Sequence, residues 1–521
     1  MRLICLDSRK QALLLDGCSN LTIQGLIIDY DPLPFTQGRV VECDMEGNWF
    51  DVMLHDGYSE VNTESSVFSV HYSGTREWKR NFPPLAPHAR LESRGRTVRL
   101  FADRRIVQSG AVSNGDLVAI VQKSMTGSTL GLVDCAFCTL EDITIHAGGG
   151  WCIRDWRGDA TRFLGIRITP GPVPPGGTQP RLRSACSDGI HVISGRAPHI
   201  ERCLVENHGD DGIAVHGVYD MALEAMGARL AIGLKNGSHH HVGDTVRLID
   251  PDRGVITEER RIIAIENPSV EEKRRLEEVK LATLVDNPNL HKWVADYSIL
   301  TLDRSPGLMK GYLVDNPTWQ GNGFVIRNNT IREHRARGIL VKASDGIIEG
   351  NMIDGSSLAG IVLSPEINGW FEAGNSWNVD IRNNSLKNIG GYEYGSPASP
   401  QAGAISVVAY GRKGFSPAGA QRNIRIVDNL FDNCRGVNAL IVSADNVVIE
   451  GNTFRNTHRE STDQGKGWGI DTGYAVWMDR VSGIEWGNNF LENPGAFCKG
   501  IAGYGNDVSR LHGAPAMAAE E

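Results

Sequence analysis

Long apolar runs, basic blocks and helix-forming runs are all scarce in this chain of 521 residues. No apolar run is long enough to cross a membrane as a helix. The 53 basic residues are outnumbered by 62 acidic ones, and the formal net charge of −9 argues against binding to nucleic acid or anionic lipid surfaces. The ten cysteines are scattered, and only Cys135 and Cys138 form a CxxC pair, so a zinc site is not expected.

Glycine is abundant, and a short motif recurs. Sixty glycines fit an all-β fold with many tight turns. The motif is an apolar residue, any residue, an apolar residue, two polar residues, Asn, any residue and an apolar residue. Its clearest copies are FVIRNNTI (324–331), GIIEGNMI (346–353), VDIRNNSL (379–386), IRIVDNLF (424–431) and VVIEGNTF (447–454).

The motif predicts a right-handed parallel β-helix. Its asparagines are separated by 22, 33, 45 and 23 residues, and self-similarity at about this period is typical of a solenoid. Short alternating β-branched segments favour strands over helices. The repeated Asn predicts an internal ladder of side-chain hydrogen bonds, and Cys203 falls on the same register. The gap of 33 residues predicts one coil with an insertion, and the gap of 45 predicts a pair of coils.

Two stretches lack the motif, and both contain Gly-Asp followed by alternating apolar residues, GDLVAI (115–120) and GDTVRL (243–248). This pattern indicates a turn entering a strand. We therefore predict two small barrel-like β domains inserted into the solenoid, and one helix over the charged run 271–280. The predicted division is β-helix at 1–35, 126–217 and 316–505, inserts at 36–125 and 218–315, and a disordered tail at 506–521.

Three aspartates stand out as candidate catalytic residues. Asp188 lies in SDG, and Asp210 and Asp211 lie in GDDG, 22 residues later and therefore about one coil away. Converging carboxyl groups are what hydrolysis of a glycosidic bond requires, and crowding raises the pKa of one of them so that it can act as an acid. Asp-Gly pairs that only form turns are the alternative. Asp188 is favoured as the acid and the Asp210–Asp211 pair as the base, with the reverse assignment left open.

Further residues could hold a sugar near these acids. The segment 364–379 interrupts the repeat and is expected to project as a loop, and the segment 148–159 precedes Asp188 by one to two coils. An aromatic ring and a hydrogen-bonding acid commonly hold a sugar, although the same residues could simply pack the loop on the solenoid. The candidate substrate-binding residues are Glu366, Trp370, Glu372, Trp151, Asp155 and His208.

The spacing of SDG and GDDG resembles the β-helix glycoside hydrolases of the polygalacturonase type. That group also carries Gly-His-Gly and Arg-Ile-Lys motifs, and neither occurs here, since IAVHG follows GDDG. With the segment IDYDPLPFTQGRV (28–40), the chain is more similar to the α-1,3-galactosidase family, glycoside hydrolase family 110. The resemblance implies a β-helix interrupted by two barrels, inversion of configuration, no metal or other cofactor, and catalytic roles for Asp188, Asp210 and Asp211.

The sequence thus predicts an exo-acting, inverting hydrolase that releases terminal α-linked galactose from a glycan. The resemblance implies an α-1,3 linkage. A galacturonan hydrolase, a polysaccharide lyase and a non-catalytic glycan-binding solenoid stay open. A lyase would need a basic residue, and Arg337 and Lys342 reach the groove only if later coils contribute; no basic cluster adjoins the aspartates in the sequence. The expected partner is a carbohydrate, with a homodimer left open. No signal peptide is visible, which predicts a cytoplasmic protein unless an export signal precedes this sequence.

Overall fold

A computed structural model describes residues 1–44, 46–61, 67–79, 86–87, 90–102, 111–122, 127–235, 239–279, 284, 294–307, 310–390 and 399–515. Parallel strands stack coil upon coil, so the predicted all-β solenoid is confirmed. One face is an 11-stranded parallel sheet. Its strands are Arg2–Cys5, Ile27–Tyr30, Thr144–Ile145, Arg167–Ile168, Leu204–Glu206, Thr330–His334, Met352–Ser356, Ser385–Lys387, Leu430–Asp432, Thr453–Arg455 and Phe490–Glu492.

A second face, called here the groove face, carries the candidate site. Its strands are Leu13–Asp16, Ser128–Val133, Trp151–Trp156, Ile190–Ile193, Ile213–Val218, Ile339–Lys342, Ile361–Leu363, Ile405–Val407, Ala439–Glu450, Tyr474–Gly487 and Gly500–Tyr504. The third face consists of Thr22–Gln24, Thr139–Glu141, Arg162–Leu164, His199–Glu201, Val325–Arg327, Gly346–Glu349, Trp377–Arg382, Gln421–Val427 and Val508–His512. Ala439–Glu450 and Tyr474–Gly487 run through both faces and join them.

Alternating side chains hold the coils together. On the groove face, Ile153, Ile190, Ile213 and Ile339 occupy one register on four successive coils, and all four are fully buried in the main core. β-branched side chains fit such stacked, half-buried surfaces, which explains why these segments form strands. The intervening residues of each strand point outwards, and on this face they form the floor of the candidate site.

The predicted internal ladder is confirmed. Asn384 Nδ2 donates to Asn429 Oδ1 at 3.0 Å and to the Ile348 carbonyl at 2.9 Å. The same pattern links all the predicted ladder asparagines, Asn329, Asn351, Asn384, Asn429 and Asn452, and it continues to Asn489. Cys203 lies on this register as predicted, and its N–H donates to Asn329 Oδ1 at 2.9 Å.

The gap of 45 residues is one coil, and the prediction of a pair of coils is wrong. Ser385–Lys387 pairs directly with Leu430–Asp432, and Asn384 bonds directly to Asn429. The additional residues precede and follow the groove-face strand Ile405–Val407, and they include the hairpin Tyr410–Gly411 with Gly414–Phe415. The gap of 33 residues is one coil with an insertion, as predicted.

The first stretch without the motif forms a seven-stranded antiparallel sheet. Its outermost strands, Ala86–Pro87 and Arg90–Arg94, are neighbours in the chain, so the sheet must curve until its edges approach. The other strands are Phe35–Asp44, Trp49–Leu54, Val67–His71, Thr97–Phe101 and Leu117–Val121. Trp78 Nε1 donates to the Glu333 carbonyl at 3.1 Å, which ties this sheet to the solenoid.

The second such stretch is a closed six-stranded barrel. Its strands are Asp220–Met226, Arg229–Lys235, Thr245–Asp250, Val255–Glu266, Val294–Leu302 and Leu313–Asp315. The predicted helix is confirmed as Val270–Glu277, and it begins with a capping box in which Ser269 Oγ accepts from the Glu272 N–H. Two 3₁₀ turns, Pro317–Trp319 and Lys466–Trp468, lie elsewhere in the solenoid.

The solenoid continues into the stretch predicted as a disordered tail. Val508–His512 pairs in parallel with the strand Tyr474–Gly487, and its Val508 and Leu511 pack against the core. Residues 516–521, which complete that predicted tail, lie outside the described residues. Within the described part of the chain, no helix has the length and apolarity needed to span a membrane.

Candidate active site

Asp188 and Asp211 occupy equivalent positions on neighbouring coils. Each lies two residues before a groove-face strand, Ile190–Ile193 and Ile213–Val218 respectively. The Gly189 N–H donates to the Asp211 carbonyl at 2.9 Å, which fixes their relative register. Stacked parallel strands are about 4.8 Å apart, so these two carboxylates start one coil apart on the same side of the molecule.

Asp210 lies in a tight turn that only glycine allows. A Cβ atom at Gly209 would lie 2.1 Å from Arg183 Nη2 and 2.2 Å from the Cys186 carbonyl oxygen. The turn leaves the Asp210 side chain 32% exposed, whereas the side chains of Asp188 and Asp211 keep 7% and 6%. Of the three predicted acids, Asp210 is therefore the one that solvent reaches most easily.

Two arginines from the next coil hold the aspartate pair. Arg335 Nη1 donates to Asp210 Oδ2 at 2.6 Å, and Arg337 Nη2 donates to Asp211 Oδ2 at 2.7 Å. The Arg337 N–H also donates to Asp211 Oδ1 at 2.9 Å. The expectation that no basic cluster adjoins the aspartates is therefore wrong, because the second insert separates neighbouring coils by about 125 residues in the sequence.

The charges around Asp210 set its protonation. About two thirds of the Asp210 side chain is buried, and this burial raises its pKa to about 7; the nearby Arg335 opposes the rise, and the negative charges of Asp188 and Asp211 add to it. Burial also raises the pKa of Asp211, against the opposing effect of Arg337. An acid that is part-protonated near neutrality can donate a proton to a leaving group.

Two histidines extend the site from Asp188. His191 Nδ1 donates to Asp188 Oδ2 in a short hydrogen bond, and His191 Nε2 lies 2.7 Å from His216 Nε2. The His216 Nδ1–H donates to the Gly217 carbonyl at 2.6 Å. Both rings are buried. The Trp151 ring packs edge-on against His191 with centroids 5.7 Å apart, which places Trp151 beside these histidines.

The loop 364–376 brings Glu372 to the same place. Its short strand Glu372–Ala373 pairs antiparallel with Gly217 and Val218. Glu372 forms an ion pair with the buried Lys342, and its Oε1 lies 3.6 Å from His216 Nε2. Burial opposes ionisation of Glu372, but Lys342, His216, Lys235 and His191 together outweigh burial and hold the pKa of Glu372 well below its usual value.

The second barrel supports this loop. Phe371 and Ala373 pack into an apolar cluster with Tyr219 and Met221 of the barrel region. Lys235, at the end of a barrel strand, donates to the Phe371 carbonyl at 3.1 Å. The insert thereby helps hold Glu372 over the groove face.

Glu366 and Trp370, the other predicted substrate-binding residues of this loop, lie at different positions in it. Glu366 accepts hydrogen bonds from the backbone N–H groups of Asn368 and Gly369, at 3.0 and 2.8 Å, and thus shapes the loop itself. The Trp370 side chain is 58% exposed at the loop tip, where it is accessible to a ligand.

Two predicted substrate-binding residues do not line the groove. Asp155 shares its register with Leu132 and Val192, whose side chains point into the core, so strand alternation directs Asp155 inwards. It is 1% exposed, and burial raises its pKa to about 7. His208 is fully buried and stacks on His334 with ring centroids 4.6 Å apart.

His191, His216 and Glu372 place three donor atoms within 4.8 Å of one another. The two ring nitrogens are nevertheless only 2.7 Å apart, which is a hydrogen-bond distance. Tetrahedral zinc with bonds of about 2.0–2.1 Å would separate them by roughly 3.3 Å. Lys342 also places an ammonium group on Glu372. The arrangement fits a proton between the rings and does not fit a metal ion.

The sequence interpretation missed His191, Arg335 and Lys235 as parts of the site. His191 could have been found from strand alternation, because it lies three residues after Asp188 on an outward register. Arg335 and Lys235 carried no local signal, since each reaches the site through the order of coils around the second insert.

Comparison with known proteins gives consistent matches. Residues 317–509 match a family model described as a right-handed beta helix region. The chain is 23% identical over 476 residues to alpha-1,3-galactosidase B of Akkermansia muciniphila, covering 88% of this chain and 55% of that protein. It is 23% identical over 483 residues to alpha-1,3-galactosidase B of Bacteroides thetaiotaomicron, covering 87% and 73%. The chain spans about half the length of several relatives, including 50% of one from Phocaeicola vulgatus.

Solved structures also align with most of the chain. A family 28 exopolygalacturonase of Yersinia enterocolitica gives a TM-score of 0.42 at 10% identity, covering 99% of this chain and 73% of that one. The catalytic domain of a GH87 alpha-1,3-glucanase gives a TM-score of 0.37 at 9% identity, covering 92% and 99%. The sequence matches agree with the resemblance noted above: the chain is similar over most of its length to curated α-1,3-galactosidases, and it is built on a right-handed parallel β-helix.

Proposed function

We propose that this chain is a glycoside hydrolase that releases a terminal α-linked galactose, in an α-1,3 linkage, with inversion of configuration. The observation that carries the proposal is one accessible carboxyl group, Asp210, beside two buried ones, Asp188 and Asp211, on adjacent coils. The names of the curated relatives support the choice of sugar and linkage.

Asp210 is the general acid in this proposal. Its pKa of about 7 keeps a substantial protonated fraction near neutrality, and its exposure lets it reach the oxygen of the leaving group. This reverses the role favoured from the sequence, where Asp188 was the acid. The reason is that Asp188 is buried and its Oδ2 is already bonded to His191, so Asp188 is less able to reach a leaving oxygen.

Asp188 and Asp211 together act as the base. Their shared register lets both carboxylates hold one water, which attacks the sugar carbon on the face opposite the leaving group. Asp210 gives its proton to the leaving oxygen, the carbon–oxygen bond breaks, and the base pair takes a proton from the water. Free galactose and the protonated leaving group are released; the base then returns its proton to solvent, and Asp210 takes one up.

The covered floor of the site supports an exo mode of action. The loop 364–376 pairs with Gly217 and Val218 at the end of a groove-face strand, and His191, His216 and Lys342 are buried. Cover at this place favours binding of one terminal sugar over binding along a chain. Trp370 at the loop tip offers an apolar face to the rest of the glycan.

A lyase is disfavoured by the same contacts that bring basic residues to the groove. Arg337 is paired with Asp211, and although burial lowers the pKa of Arg337, the carboxylates of Asp211, Asp210, Glu372 and Asp188 together outweigh burial and raise it. A guanidinium held so firmly protonated cannot remove a proton from a uronate. The Lys342 ammonium is buried and paired with Glu372.

The test is an assay with aryl α-glycosides and α-1,3-linked galactosides, run with and without a chelator. We expect release of galactose in both conditions, and about a hundredfold or greater loss of turnover in Asp188→Asn, Asp210→Asn and Asp211→Asn, the usual scale for loss of a general acid or base. Asp159→Asn, whose carboxylate pairs with Arg196 on another part of the coil, is the matched control. Near-normal activity in all three site variants would remove the site from the mechanism.

A further inference from the structure

The contact between His191 and His216 is chemically unusual. Each outer nitrogen faces an oxygen acceptor: the Asp188 carboxylate for His191 and the Gly217 carbonyl for His216. Each Nδ1 must therefore carry a proton. If both rings were neutral, each Nε2 would carry a lone pair, and two lone pairs would face each other at 2.7 Å.

One additional proton resolves this conflict. With a proton on His191 Nε2, that nitrogen donates to His216 Nε2, and every ring nitrogen then has a partner. His191 becomes an imidazolium that donates to Asp188 on one side and to His216 on the other. His216 stays neutral and passes its own Nδ1–H to the Gly217 carbonyl.

We infer that His191 and His216 share a single buried proton, and that His191 is a positioning residue which holds the Asp188 carboxylate in place as part of the base. This inference rests on the proposed function for the role of Asp188. His191 does not contact the substrate in this proposal, and it acts through Asp188.

The charges around the pair agree with this distribution. Burial lowers the pKa of His191, but Asp188 outweighs burial and raises it, with help from Glu372 and Asp211. Burial lowers the pKa of His216 to about 3, Glu372 opposes this, and His191, Lys342 and Lys235 lower it further. The surrounding groups thus place the positive charge on His191. Trp151 packs on the His191 ring and shields it.

The first test is the pH profile of His191→Asn. The Asn amide can still donate to Asp188, but it carries no charge, so the imidazolium beside the base is lost. The acid limb of kcat/KM should move upwards by about 1–3 pH units, with kcat down roughly tenfold or more at about pH 5 and KM within about twofold. His199→Asn is the matched control, because His199 lies on the next strand of the same coil and pairs with Glu201 instead.

A fall in kcat at every pH with an unmoved acid limb would show a merely structural role and overturn the inference. A shifted limb in His199→Asn would do the same.

The second test needs no turnover, so it separates this inference from the proposed function. In protein labelled with ¹⁵N-histidine, one ring should show both nitrogens protonated near neutrality, and its neighbour should be neutral with the proton on Nδ1. The two signals are assigned by their loss in His191→Asn and His216→Asn. Two neutral rings would overturn the shared proton.

The third test is zinc binding. After dialysis against zinc sulfate and gel filtration, His216→Asn and the unsubstituted protein should retain equal zinc. One equivalent more in the unsubstituted protein would show a metal site at this pair and overturn the inference. An unsubstituted enzyme that is inactive on every galactoside, yet shows the predicted ¹⁵N signals, would sink the proposed function and leave the shared proton intact.

Discussion

Removing the cation beside Asp210 should move the alkaline limb of activity to higher pH. Arg335 Nη1 lies 2.6 Å from Asp210 Oδ2 and stabilises the ionised form, so Arg335→Gln should raise the pKa of Asp210 above its value of about 7. An opposite charge at this distance shifts a carboxyl pKa by about 1–3 units. Both side chains are about one third exposed, so we take the lower end, one unit.

This shift gives a measurable ratio. At about pH 8, a group with a pKa of about 7 is roughly 9% protonated, and one with a pKa of about 8 is roughly half protonated. Relative to its own maximum, the variant should therefore retain about fivefold more kcat/KM at about pH 8 than the unsubstituted enzyme. The assay is kcat/KM for an aryl α-galactoside across the pH range.

Arg332→Gln is the matched control, since Arg332 lies three residues earlier and pairs with Glu206 at 2.6 Å. Its alkaline limb should stay in place. An alkaline limb that stays fixed or moves downwards in Arg335→Gln would refute the assignment of Asp210 as the acid.

Two further predictions concern stability. Asn384→Ala removes four buried hydrogen bonds of the internal ladder and should lower the free energy of unfolding by roughly 3–5 kcal/mol in chemical denaturation. The control is Asn423→Gly, since Asn423 has a φ of 54° and donates to Asn378 on the exposed surface, and it should cost less than about 1 kcal/mol. Equal losses would refute a structural role for the internal ladder. Asp155 has a pKa of about 7 in the folded state against 3.8 when unperturbed, so the folded state binds more protons and its stability falls as pH rises between these values. Relative to the unsubstituted protein, Asp155→Asn should therefore gain roughly 2–4 kcal/mol more free energy of unfolding at about pH 8 than at about pH 4. A gain that does not depend on pH would contradict this.

The repeat carried most of the fold information because coil stacking is a local, periodic constraint. Each Asn of the ladder bonds to the Asn of the next coil, so one register determines both the period and the inner face. The gap of 45 residues gave a wrong prediction of two coils because the coil that contains Ile405–Val407 has long loops. Length alone cannot distinguish a long loop from a second coil.

The site was predicted where its residues are close in the sequence. Asp188, Asp210 and Asp211 lie within one coil period, whereas Arg335 and Arg337 reach them from 125 and 126 residues away, across the second barrel. The sequence interpretation placed Asp155 in the groove because it lies close to Trp151. Side chains alternate along a strand, however, and Asp155 shares the inward face with Ile153. The pairing of His191 with His216 depends on side-chain directions across two coils, which a single sequence does not report.

The stereochemistry of the first product tests the central claim most directly. Proton NMR can follow hydrolysis of an aryl α-galactoside from its first minutes, before mutarotation mixes the anomers. Attack by a water held between Asp188 and Asp211, opposite to the acid Asp210, predicts that β-galactose appears first. Initial α-galactose would mean retention and would contradict the proposed mechanism.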